Sequence, residues 1–422
     1  MGAAIVGVMA GIATSMLKHM IAWIGLLISK CIRPSGFNWE IMLFPLLGVM
    51  LAIFFQKKIV KEDLAHGTKL IKARMLSGNY YFPDNLMWNP LLACWMTVGF
   101  GGSAGAEGPS AYSGGAIGSC VARWLGISSD GMRILVGCGA GAGIAGIFKA
   151  PVGGVLFTLE VLNMPMVTVA VMSLVVACLC SFATSYVISG FHWNTSFTAA
   201  VPFDPHHLVW FMILGVFCGL YCIYYNHTRH VTAKALGKIS SVWVKGLSSG
   251  LWLAIMVFLF PALFGEGYQI MTGMINHDDS TLFVYSPFFR ESGGYVWTVV
   301  LIAAILLIKG VAVAAANYGG GVAGEFAPTL FAGSLAGYLF AIVANHLFGV
   351  GLPPGTFALV GMAGVMAGSV GAPLMSIFIA AECTASYTFL LAFMFTAAIS
   401  YIVVVSFETL TSQHSVAPLH KV

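Results

Sequence analysis

The segment Gly101-Gly102-Ser103-Ala104-Gly105-Ala106-Glu107-Gly108-Pro109-Ser110 joins residue types that together can do chemistry. Its glycines permit tight backbone turns, and Pro109 suits the first turn of a helix. A helix starting there points free backbone N–H groups back at the turn. With the helix dipole, those groups can hold an anion without a full positive charge. The same device recurs at Gly324-Glu325-Phe326-Ala327-Pro328-Thr329. Two helix starts aimed at one point would hold a partly dehydrated halide. Glycine-rich segments also serve close helix packing. The duplication favours the anion reading.

Four carboxylates fall within apolar segments: Glu107, Glu160, Glu325 and Glu382. Each costs about 2.5–3.5 kcal/mol or more at the centre of a bilayer unless it is paired or faces water. Glu107 lies inside the first turn, where a carboxylate competes with an anion for the same donors. Protonation would release it, which makes it a natural gate. Glu325 lies at the second turn and could receive a proton once Glu107 gives one up. Its alternative role is that of an acid favoured at a helix start. Glu160 and Glu382 end their apolar helices. They could carry protons or hydrogen-bond buried backbone, and the residues leave both readings open.

Gly101 to Gly105 also matches GxSxG, the turn of a serine nucleophile. A protease would need a base, and His346 is the only clear candidate inside a late apolar run, with no triad spacing. Fifty glycines make a chance match unsurprising. No HExxH, phosphate-loop or dinucleotide motif occurs, so no enzyme and no cofactor is expected.

The elements that must position these residues are membrane helices. The 422 residues are 59% hydrophobic and 8% charged, against about 25% charged in a soluble domain. Lipid must therefore be the solvent for much of the chain. Runs such as Val169 to Ile188, Leu208 to Tyr225, Val296 to Leu307 and Phe389 to Val405 approach or reach spanning length. Basic residues cluster at Lys57–Arg74 and Arg229–Lys245, the pattern of cytoplasm-facing loops. The net charge of +4 does not suggest nucleic acid.

The nine cysteines have no CxxC spacing and mostly sit in apolar runs, as small hydrophobes. The apolar stretch from Ala3 to Thr14 has no basic region before it and is expected to be a first membrane segment. The last apolar run ends close to Val422, so no cytoplasmic regulatory domain is expected. Short apolar pieces at Pro90 to Thr97, Ala111 to Ala122 and Ala327 to Ala332 are expected to be broken helices buried in protein or lining a cavity.

The organisation is a repeat. Ala150-Pro151 and Glu160 recur as Ala372-Pro373 and Glu382, each 222 residues on. With the two anion turns, this divides one membrane domain, 1–422, into halves at 1–200 and 201–422. Paired halves with Gly/Pro-interrupted helices point to a site near the midplane, at the repeat interface.

These residues resemble the CLC family of chloride channels and chloride/proton exchangers over nearly the whole chain. Gly-Ala-Glu-Gly-Pro at 105–109 is similar to the family's G(K/R)EGP, with Ala106 in place of the basic residue. Gly-Glu-Phe-Ala-Pro at 324–328 is similar to its GxFxP. Gly137 to Val161 and Gly361 to Thr384 resemble the paired central helices, and Gly-Glu-Gly-Tyr at 265–268 resembles conventional bacterial members. The resemblance implies an all-α, polytopic inverted-repeat fold of short, tilted and broken helices. It implies a homodimer in the cell inner membrane, one pore per subunit, with Glu107 as the external gate.

The resemblance also implies anion contacts at Gly67, Gly108, Glu325, Phe326 and Ala327. The family's first anion motif corresponds to Ala65-His66-Gly67-Thr68-Lys69. Its serine is replaced by His66, with Thr68 as the alternative hydroxyl. The family's pore tyrosine corresponds to His414. Exchangers commonly place an inner glutamate after the position of Glu160, where this chain has Val161, as many channels do. Glutamate at the position of Glu325 marks the fluoride/proton branch, whereas Phe326 and the Gly-Glu-Gly-Tyr motif fit the chloride branch. The expected cargo is chloride first and fluoride second. Channel and proton-coupled exchange both stay open, with Glu107, Glu325 and Glu160 as the candidate proton path.

Overall fold

The computed structural model describes residues 1–32, 38–190, 203–276, 278–286, 294–385 and 387–412. Among the described residues sixteen α-helices run in chain order. The first eight are α1 (Gly2–Cys31), α2 (Leu43–Phe54), α3 (Gly67–Ser77), α4 (Asn89–Cys94), α5 (Glu107–Trp124), α6 (Ser129–Phe148), α7 (Pro151–Glu160) and α8 (Thr168–Ile188). The second eight are α9 (Leu208–Gly237), α10 (Val242–Leu259), α11 (Tyr268–Ile275), α12 (Gly294–Tyr318), α13 (Phe326–Phe348), α14 (Pro354–Val370), α15 (Pro373–Cys383) and α16 (Leu390–Ser412). The fold is all-α and polytopic. Among the described residues, nine helical segments are long and apolar enough to cross a membrane.

Local sequence explains where the central helices break. Lys149 ends α6 in the left-handed conformation at φ 56°, and Gly371 ends α14 at φ 75°. In each half an alanine follows, then a proline opening the next short helix, Pro151 for α7 and Pro373 for α15. Proline has no N–H to lose at a helix start, and its fixed φ suits one. The duplicated Ala-Pro pair is thus a duplicated stop and restart.

Glycines set how closely the helices approach. A side chain on Gly114 of α5 would strike the Gly139 carbonyl of α6, and one on Gly139 would strike the Gly114 carbonyl. In the second half Gly333 of α13 and Gly361 of α14 face each other's carbonyls in the same reciprocal way. Backbone meets backbone at both crossings, as small residues allow in membrane helix pairs.

Three expectations are corrected. Ala327 to Ala332 is not a short piece; it opens the 23-residue helix α13. Ala111 to Ala122 lies within α5, 18 residues long. Arg229 is not in a loop, because α9 runs on to Gly237. Only Pro90 to Thr97 is broken as expected: α4 gives way at Trp95 to a wider helical turn that ends at Gly99.

Close approach at Gly139 has a measurable consequence. Gly139→Val should lower thermal stability in detergent by about 1–3 kcal/mol or more, as overpacking does. Gly25→Ala has open space around its added methyl and should leave the melting temperature unchanged or slightly raised. Equal melting of both variants would mean that α5 and α6 are not held apart by backbone contact.

Candidate anion-binding site

The two glycine turns meet directly. Gly105 donates its N–H to the Gly324 carbonyl at 3.0 Å, and Gly324 donates back to Gly105 at 2.6 Å. Thr97 ties the turns further, accepting the Val322 N–H at 2.9 Å while donating to Ala93. Gly101, at φ 96°, lies against the Phe264 ring, where only a residue without a side chain fits. The starts of α5 and α13 are thereby fixed to each other.

Glu107, the first residue of α5, is buried, at 1% exposure. Its Oε1 accepts the backbone N–H groups of Phe326 and of Ala327, the latter at 2.7 Å. The carboxylate of one half therefore sits on the helix start of the other. The donors that Oε1 occupies belong to α13.

The start of α3 joins from a third direction. Gly67 is buried against the Gly108 carbonyl, and a side chain on Gly108 would meet Gly324 and Thr68. His66 precedes α3 with φ 59° and lays its ring 4.4 Å from that of Tyr318. A cavity of about 260 Å³ opens beside these helix starts. His66, Gly67, Thr68, Glu325 and Phe326 line it, together with Val161 from the end of α7. Gly108 and Ala327 are not among its lining residues. His414 falls outside the described residues.

Glu325 caps nothing on α5. Its Oε2 pairs with the guanidinium of Arg229, and its buried Oε1 has no partner among the described residues. Glu160 does not reach the cavity. It accepts the N–H groups of Leu374 and Met375 at 3.3 and 2.8 Å, at the start of α15. Glu382 does the reverse, accepting from Val152 and Gly153 at 3.0 and 2.8 Å at the start of α7. The two helices lie antiparallel, each carboxylate satisfying the other's free donors.

Several residues escaped the sequence reading. Arg229 and Tyr318 line the cavity. Arg229 was hidden among loop cations, and Tyr318 stands just before the second turn in Asn-Tyr-Gly-Gly. Lys309 is buried in α12 and donates to Ser103 Oγ at 2.8 Å, with its ammonium 4.4 Å from the centre of the Phe331 ring. Ser103 is itself fully buried, and His346 stacks on Tyr295, so the GxSxG serine has neither the expected base nor an open face. Glu266 of the Gly-Glu-Gly-Tyr motif pairs with Lys18 of α1 at 2.7 Å.

Known proteins resemble the chain over most of its length. The sequence matches the voltage gated chloride channel family, Voltage_CLC, over residues 48–405. It is 25% identical to the voltage-gated ClC-type chloride channel ClcB of Citrobacter koseri over 410 residues, 92% of this chain and 91% of that one. It is 29% identical to a putative chloride channel protein, ClcB-like, of Ralstonia nicotianae, covering 72% of this chain and 68% of the relative. A crystal structure of a slow cyanobacterial Cl⁻/H⁺ antiporter superposes with a TM-score of 0.79 at 24% identity, covering 99% of this chain and 95% of the other. A CLC-type fluoride/proton antiporter gives 0.75 at 19% identity, covering 95% and 93%. At these identities the likeness of the structures is one of fold, the inverted repeat of membrane helices. With reciprocal turns, crossed carboxylate caps and a family match across most of its length, the chain belongs to the CLC family of voltage gated chloride channels and transporters.

Proposed function

We propose that this protein carries chloride across the cell inner membrane through a pore that passes the start of α13, with Glu107 as its gate. One observation supports this above the others: the Glu107 carboxylate rests on the N–H groups of Phe326 and Ala327. A carboxylate there is a tethered anion on donors that suit a free one. Its ionised form blocks the site, and protonation removes the charge that holds it. The cavity beside it is the inner approach, with His66, Gly67 and Phe326 along its wall. Lys69, Lys72 and His230 also line it, which fits the cytoplasmic side.

Fluoride is the second reading, and Glu325 is the observation that favours it. The position carries glutamate in the fluoride branch that the sequence resembles, and here that side chain faces the cavity. Proton coupling is a separate matter. Val161 carries no proton, and Glu160 is spent on the start of α15. If protons move, Glu325 and Glu408 are the acids that line the cavity, and Glu325 is the one at the start of α13.

The chain is one membrane domain of two halves, 1–200 and 201–422, and the working unit is a homodimer. Pairing of α5 to α8 with α13 to α16 by order and similar length supports the halves. The dimer rests on family resemblance. The apolar segments Phe389 to Val405 and Leu208 to Tyr225 have faces that a partner could cover. They pack on each other in α16 and α9, with Gly215 on Ile399 and Gly219 on Val403, and show their remaining apolar sides outward.

Purified protein in liposomes under a chloride gradient should release chloride well above empty vesicles. Protein-free rates at every pH would sink the transport reading. Wild-type efflux should rise as pH falls, because protonation frees the gate. Glu107→Gln should be flat with pH and at least as fast as the wild type at low pH; a Gln variant with wild-type pH response removes Glu107 from the gate. Halide and proton fluxes recorded together decide coupling. Proton pumping that Glu325→Gln abolishes while chloride still moves marks an exchanger, and chloride flux without protons in the wild type marks a channel.

A further inference from the structure

Glu107 and Glu325 are not equivalent members of the repeat. Glu107 is the first residue of α5, whereas Glu325 precedes the first residue of α13 and matches Ala106. Glu325 stands at the N-cap position of α13, yet its side chain makes no hydrogen bond to that helix start. It turns to Arg229, a residue of α9 whose side chain is 20% exposed and faces the same cavity.

This pair is poorly built for stability alone. An arginine and a carboxylate brought together for strength meet through two parallel hydrogen bonds. Here one oxygen of Glu325 is engaged, and the other is buried without a partner. A carboxylate oxygen left unpaired in a buried site costs free energy that a better rotamer or a neighbouring donor would recover. Arg229 has five N–H donors, and its described contacts are the Glu325 oxygen and the Tyr225 ring, whose centre lies 5.9 Å away. Lys69, Lys72 and the two histidines His66 and His230 share the cavity, against Glu325 and Glu408. The walls carry more positive charge than the one carboxylate on Arg229 offsets.

We propose that Arg229 is an anion-binding residue at the inner mouth of the pore, and that Glu325 occupies it in the resting protein as a tethered, displaceable anion. The inference rests on the transport reading and adds a second carboxylate latch to it. Glu107 covers backbone donors at the start of α13, and Glu325 covers a cationic side chain one residue before that start. An anion entering from the cavity exchanges with Glu325 at Arg229 before it can reach the donors under Glu107. Arg229 takes a single small anion, halide or compact oxyanion, because Glu325 leaves one carboxylate-sized place to fill.

The test is chloride binding by calorimetry in detergent, with bromide located by anomalous diffraction. Glu325→Gln removes the competitor and should bind chloride about tenfold more tightly, the scale of a charge-assisted hydrogen bond. Bromide should then appear beside the Arg229 guanidinium. In Glu325→Gln with Arg229→Gln that gain should vanish, and in Glu325→Gln with Arg229→Lys most of it should remain. The double neutral variant leaves no uncompensated charge, so it folds where Arg229→Gln alone would strand Glu325. Tightening that survives in the double neutral variant, or bromide bound elsewhere only, overturns the proposal. A wild type that carries chloride while Glu325→Gln binds no more tightly overturns the latch and leaves the transport reading standing. No chloride flux and no binding in any variant overturns both.

Discussion

A helix that begins inside a bilayer presents backbone N–H groups where no water can take them, and most of this structure answers that constraint. Each unsatisfied group there costs several kcal/mol. Three carboxylates meet the demand, Glu107 and Glu382 buried and Glu160 half-buried. Glu107 serves α13, Glu160 serves α15, and Glu382 serves α7. In each case the acid comes from the other half of the chain. The halves are therefore joined by electrostatic caps as well as by apolar contact.

The constraint also explains why one cap is suited to function and the others to structure. Glu160 and Glu382 form a closed exchange: each uses both oxygens on backbone donors of the partner helix, and neither lines the cavity. Glu107 is different because the donors it covers stand beside the cavity wall, with Phe326 in common. When a carboxylate and a mobile anion can satisfy the same donors, exchange between them leaves no donor bare. A gate built this way avoids the cost of an empty helix start.

Close backbone contact makes the arrangement rigid. The bridge between Gly105 and Gly324 and the apposed glycines of α5 with α6 and α13 with α14 fix the two helix starts to the core. The acids can then move without the donors moving. Rigid donors and movable side chains suit a pore in which the cargo displaces a resident group.

Much of this was legible from residue types. Low charge required a membrane fold, the repeated Ala-Pro and Glu pointed to paired halves, and the glycine turns singled out Glu107 and Glu325, with Phe326 added by the family resemblance. These signals are local, because helix starts, breaks and spans are decided by a few neighbouring residues. What each buried side chain touches is not local. The sequence left the donors of Glu107 unassigned and Glu160 and Glu382 between two roles, and it put Arg229 in a loop. Folding decided these points, since the partners lie some two hundred residues away for the carboxylates on backbone and 96 residues away for Arg229 and Glu325. Composition and spacing specify that a buried charge must be compensated. Only the packing of the two halves determines which group compensates it.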